Sequence, residues 1–312
     1  MKKKILFVLF ILVSIFILYA VLVSDVYYKE IKISAAVPVI HREISSLNRI
    51  AKWFNPFASA DTSSNKIIKQ DRLEYENIIL KITNITGYST TFQVVENNKS
   101  KNILYDVMPD TGHFNKVIVT YKTTLWNEFF KTGKTVKHAE KSLEDLKDYM
   151  GDAKKMYGSE VEMISVSDTA FLFSSEVVPI QSKKAAFKNL YKSLIQFAEQ
   201  KDLDYNGVRI FYILPFGKDS LHLFTSIGIT NTGNAPLSGS FILKRMPYMG
   251  RLLMTYYQGS FDKVDTALHA LEQFKSDNGM NSMAIPFIKL ITEGIEFDDS
   301  QIIQARAMYP VY

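Results

Sequence analysis

Residues 251–271 read RLLMTYYQGSFDKVDTALHAL. Arg251 to Tyr257 is a short apolar run rich in aromatic and branched residues, a strand signature. Phe261, Val264, Leu268 and Leu271 then recur at three- and four-residue spacings, the period of a helix with one buried face. The same spacing occurs upstream at Phe187, Leu190, Leu194 and Phe197. Each downstream position lies 74 residues after its counterpart, as Phe261 does after Phe187. Strand candidates flank both helices: 170–178 before the first and 208–214 and 222–230 after it, then 251–257 before the second and 285–292 and 303–309 after it. The pattern predicts a duplicated α+β unit over residues 159–312.

Upstream, Ile31, Ile33 and Ala35 alternate with Glu30, Lys32 and Ser34, which predicts a half-buried strand over 29–35. Pro38 suits the first turn of a helix. Val39, Ile40, Ile44, Leu47 and Ile50 continue at helical spacings towards Trp53, and Asn55-Pro56 stops the run. Strand candidates follow at 75–83, 87–95, 101–108 and 113–124, with Asn97-Asn98 as a hairpin turn. Residues 134–157 are expected to form one long helix with Val136, Leu143, Leu146, Tyr149, Met150 and Met156 on one stripe. A curved antiparallel sheet gripping that helix would bury the stripe, and residues 26–158 are expected to be one domain.

The first 25 residues form a segment apart. Lys2, Lys3 and Lys4 precede an apolar run from Ile5 to Val23 broken only by Ser14. Its length suits a transmembrane helix rather than a cleaved leader. The flanking lysines would keep the N-terminus cytoplasmic and residues 25–312 outside, a single-pass membrane topology with the lipid bilayer as partner. The formal net charge of +5 owes three units to those lysines; without them 34 basic residues face 32 acidic ones. No arginine–lysine cluster marks a nucleic-acid footprint. There is no cysteine, so disulfide and thiolate chemistry are excluded.

The stretch IKISAAVPVIHREISSLNRIAKWFNP, residues 31–56, resembles the opening of START-like domains of the SRPBCC, or polyketide cyclase-like, superfamily. Ala36, Pro38, Leu47, Trp53 and Pro56 carry the likeness. It implies a helix-grip fold that holds apolar ligands between sheet and long helix. The second half is similar to GyrI-like small-molecule-binding domains, found also as AraC-type effector-binding domains. Tyr257-Gln258-Gly259-Ser260-Phe261 and Tyr309-Pro310-Val311 carry that likeness, with Pro247, Gly207 and Tyr212. It implies an aromatic groove to which Tyr212, Phe241, Tyr256, Tyr257, Ile288 and Tyr309 contribute. For each of these residues core packing is the competing reading. Relatives that bind cations carry a glutamate on the strand near 288; here Ile288 takes that place, and Glu293 or Glu296 would serve only if the frame slips.

The five histidines, His41, His113, His138, His222 and His269, show no metal-binding spacing. No glycine-rich loop offers a phosphate cradle, and no serine has a local base. No catalytic residue, metal or cofactor is therefore expected. The expected function is a membrane-anchored binding protein for a small apolar or aromatic molecule. Two other readings stay open: an envelope protein-interaction module, and a hydrolase-like enzyme acting on an organic electrophile.

Overall fold

The computed structural model describes residues 2–59, 66–112, 114–130, 133–167, 170–233, 239–282, 284–291 and 301–312, with residues 2–4 and 6 by backbone alone. Two units divide the chain, Met1–Asp152 and Ala153–Tyr312.

In the first unit, α1 (Lys2–Leu22) leads into β1 (Ser24–Ile33), α2 (Val37–Ile44) and α3 (Leu47–Ile50). Six strands follow: β2 (Ile67–Ile68), β3 (Leu73–Tyr75), β4 (Ile78–Ile85), β5 (Ser89–Glu96), β6 (Lys99–Pro109) and β7 (Asn115–Thr124). The unit closes with α4 (Leu125–Phe130) and α5 (Lys134–Met150). The strands make an antiparallel seven-stranded sheet in the order β1-β7-β6-β5-β4-β3-β2. Pairing with β7 from Ser24↔Thr124 to Ile33↔Asn115 starts β1 five residues before its alternation becomes visible in the sequence. Asn97 and Asn98 turn the β5–β6 hairpin, both at positive φ, which asparagine tolerates better than most residues.

Three expectations change here. The run from Pro38 to Trp53 is two short helices, because Ser45 returns its hydroxyl to the carbonyl of His41 (2.6 Å) and Ser46 is extended. The helix expected over 134–157 ends at Met150. Gly151 caps it by donating its N–H to the carbonyl of Lys147 (2.9 Å), with Asp152 donating to that of Tyr149 (3.3 Å), and residues 153–157 fall to the second unit. The N-terminal anchor is corrected as well. Among the described residues no helix is long and apolar enough to cross a membrane. α1 is helical from Lys2 to Leu22, and its described side chains are exposed except Ala20. The transmembrane helix, the bilayer partner and the single-pass topology with extracytoplasmic domains therefore lose their basis.

The interior of the first unit is built from α5 and aromatic rings. Val136, Ala139, Leu143, Leu146 and Tyr149 face inward from α5. Opposite them Trp53, Phe54, Phe57, Phe92 and Tyr105 are enclosed by protein, with Phe92 and Tyr105 rings 5.0 Å apart and Trp53 and Tyr105 rings 5.8 Å apart. The Tyr105 hydroxyl donates to the Ala139 carbonyl (3.1 Å), tying sheet to helix. Aromatic rings thus pack between sheet and helix, where the helix-grip likeness implies a ligand. Buried Glu43 accepts from Arg49 (2.6 Å) and Arg42 (3.0 Å), as a buried carboxylate requires.

His138 Nδ1 stands 3.0 Å from Asn55 Oδ1, an acceptor, so Nδ1 carries the proton of the neutral ring. Burial pulls the His138 pKa below its ordinary value, only partly opposed by Glu96, with Lys134 and Lys141 lowering it further. The unfolded chain therefore binds the proton more readily, and acid favours unfolding. Stability of this unit should fall as pH drops below about 6.5, and His138→Gln should flatten that part of the slope. Urea midpoints taken across that range check it; an unchanged slope in the variant would assign the effect to other groups.

The second unit begins with α6 (Ala153–Tyr157) and β8 (Glu162–Ser165). Then come β9 (Ala170–Pro179), α7 (Lys183–Gln200), β10 (Tyr205–Phe216), β11 (Ser220–Ile229) and β12 (Ile242–Arg245). After these follow β13 (Arg251–Ser260), α8 (Asp265–Asp277), β14 (Phe287–Leu290) and β15 (Ile302–Val311). One eight-stranded sheet results, ordered β12-β9-β11-β10-β14-β15-β13-β8. Its inner six strands are mirrored about the β10–β14 pair: β9-β11-β10 on one side and β14-β15-β13 on the other. Each half is strand, helix, strand, strand. Both helices lie on one face, where Phe187, Leu194, Phe211, Phe261, Leu271 and Ile288 share a core.

Gly259 has a specific duty. A Cβ there would come within 2.6 Å of the Tyr257 hydroxyl, because the tyrosine ring folds across the glycine and donates to the Ser260 carbonyl (2.7 Å). The Tyr-x-Gly spacing is accounted for by this local clasp.

Candidate functional site

Side chains alternate across a strand, so each strand of the second unit supplies two faces. Leu172, Phe211, Leu223, Leu253 and Ile288 point to the helices. Their chain neighbours Phe171, Ile210, Leu252 and Phe287 point the other way and form a second, smaller core with Val166, Met254 and Met308. Among the described residues of this unit no helix packs on this face. Over part of it lies a cavity of about 610 Å³.

Phe171, Phe173, Tyr212, Phe224 and Phe287 give the cavity aromatic walls, and Met246, Pro247, Met249 and Gly250 contribute from the segment between β12 and β13. The Phe224 ring is 6.1 Å from both the Phe173 and the Tyr212 rings. Ser226 is buried and adds a hydroxyl. The Tyr212 pKa is raised, first by burial and then by the carboxylates of Asp265 and Glu272, so it stays a neutral hydroxyl. Lys244, Arg245 and Arg251 are exposed members of the lining. The Lys244 ammonium sits 5.1 Å from the centroid of the Phe173 ring. Arg245 bonds the Thr232 hydroxyl (3.1 Å). No aspartate, glutamate or histidine is among the described lining residues. Among the described residues no group of three or more acidic or histidine side chains could hold a metal ion.

Of the six residues expected in a groove, Tyr212 lines this cavity and the other five do not. Ile288 is fully buried against the helices. Tyr309 is buried on that same side, with the Lys275 ammonium donating to its hydroxyl (3.1 Å) and lying 4.3 Å over its ring. Phe241 stacks on Phe197 of α7 at 4.6 Å. Tyr257 is held in the clasp at Gly259. Tyr256 is exposed, with the Arg306 guanidinium 5.2 Å from its ring centre. Glu293, Glu296 and His113 lie outside the described residues. His222 packs against Phe224 at 4.1 Å, outside the lining. Sequence reading passed over Phe171, Phe173, Phe224 and Phe287. The signal was the Phe-Leu-Phe alternation at 171–173, which marks two faces without saying which one the helices cover.

No protein-family model matches the chain, and no curated protein sequence matches it. Several solved structures are similar. The C-terminal domain of EcmrR aligns with 49% of this chain and 98% of its own length, at 15% identity and a TM-score of 0.40. CalU16 from Micromonospora echinospora aligns with 41% of this chain and 74% of its own, at 14% identity and a TM-score of 0.30. SAV2435, solved with tetraphenylphosphonium, aligns with 49% of this chain and 94% of its own, at 10% identity and a TM-score of 0.31. Likenesses this distant carry no weight for function, which has to be argued from the cavity itself.

Proposed function

We propose that the second unit binds a small, largely apolar aromatic molecule in the cavity on the helix-free face of its sheet, without transforming it. The carrying observation is a volume of about 610 Å³ walled by Phe171, Phe173, Tyr212, Phe224 and Phe287. That size falls in the range of small-molecule pockets, and apolar walls with a few polar groups are their usual composition. Ser226 and the neutral Tyr212 hydroxyl would orient the guest.

A neutral aromatic amide such as naphthamide is the probe. Calorimetric titration should give saturable binding of one equivalent. Phe287→Ala should weaken it about 10-fold by removing a buried aromatic contact. Ala284 is an exposed part of the lining, so Ala284→Trp should obstruct entry without disturbing the core. Absence of saturable binding by any neutral aromatic of this size, or binding indifferent to both changes, would overturn the reading.

A further inference from the structure

We infer that the preferred guest is an organic anion: an aromatic body carrying one carboxylate, with the acid held at the basic lip of the cavity. The inference rests on the reading of the cavity as a ligand site and adds the charge of the guest. Lys244, Arg245 and Arg251 are the charged side chains of the lining, and all three are positive. Among the described residues none of them pairs with a carboxylate. Elsewhere in this unit lysines do: half-buried Lys183 and Lys184 with Asp262, exposed Lys154 with Glu160, and half-buried Lys275 with Glu272. Lys244 stands opposite Phe171 in the β9–β12 register, and its ammonium lies over the Phe173 ring, at the boundary between apolar wall and solvent. Arg245 is steadied by a neutral hydroxyl, so its charge stays uncompensated there. A guest with its ring against Phe173 and Phe224 would bring a short acidic substituent to these cations. The same field opposes a cation, for which the described lining offers no aspartate or glutamate side chain in place of the water it would lose.

The test compares naphthoate, naphthamide and naphthylmethylammonium, matched in ring and size, by calorimetry on the full chain. Naphthoate should bind about 5-fold or more tightly than the amide at low ionic strength, with the ammonium weakest; exposed charge pairs supply effects of that order, and salt should erode the difference. The triple variant Lys244→Met, Arg245→Gln and Arg251→Gln should lose the preference for naphthoate over naphthamide, read as the ratio of the two affinities in the same variant. These positions are exposed, so the variant should fold, and a urea midpoint equal to the native chain's verifies that it has. Equal affinity for acid and amide would overturn the inference while leaving the ligand site in place. So would an acid preference that survives the triple substitution. Failure of all three compounds to bind would instead strike at the proposed site itself.

Discussion

Replacing Ile288 by glutamate should cost the second unit more than about 4 kcal/mol of stability, enough to unfold it partly under native conditions. Ile288 is fully buried and belongs to the core beneath α7 and α8, beside Phe211 and Leu290. Its strand, β14, is four residues long and lies at the centre of the sheet between β10 and β15. A carboxylate there would lose water on every side without a cation to receive it. It would keep its proton to a pH well above the usual glutamate range. The sign of the pH dependence follows. Below about pH 4 the side chain is protonated in both folded and unfolded chains, and the penalty is smallest. As pH rises the unfolded chain ionises first, so the penalty grows until the folded form ionises too. Denaturant midpoints at mildly acidic and neutral pH measure this. Phe287→Glu is the control, because it carries the charge to the cavity face near the basic lip and should cost less. Equal stability of Ile288→Glu and the native chain would mean that β14 presents its other face to the helices.

Trp53→Ala should lower the stability of the first unit by roughly 3–5 kcal/mol, the range for deleting a large buried aromatic side chain. The indole is 1% exposed and contacts the rings of Phe54, Phe92 and Tyr105. Its Nε1 also donates to the Glu43 carbonyl (3.2 Å), so truncation leaves that buried acceptor without its partner. Neighbouring rings can collapse only partly into the space, because each is fixed by the sheet or by α5. Urea unfolding followed through a signal of this unit should show a lower midpoint with an unchanged slope. A loss below about 1 kcal/mol would mean that the rings close over a pre-existing void, and the first unit would then have room for a guest after all.

Much of the first unit was legible because its strands carry different residues on their two faces. In β5, Thr90, Phe92, Val94 and Glu96 are buried and their neighbours half-buried, an alternation that survives in the sequence. The stripe on α5 was equally plain. What escaped was where the helices break. Ser45 and Gly151 act through local hydrogen bonds, and an apolar periodicity that runs on past them hides the stop. The N-terminal segment shows the converse: its apolar composition announced a helix, and composition alone could not determine a span.

By itself the sequence determined the strand, helix, strand, strand order of each half of the second unit, while α6 and β12 escaped it. The two helices have one apolar face each, and that period is written in four side chains at a fixed offset. It also determined a chain without cysteine, metal spacing or an evident nucleophile. Only the tertiary structure decided which parity of each strand meets the helices. In β9, β10, β13 and β14 both faces are apolar, as strands buried on both sides must be, so neither parity stands out. A step of one residue exchanges the faces completely. Ile288 and Phe287, like Tyr309 and Pro310, are chain neighbours with opposite surroundings, one under a helix and one at the cavity. The docking of α7 and α8 on one side of the sheet settled that choice, through contacts between residues far apart in the chain, and left the other side open around Phe171, Phe224 and Phe287.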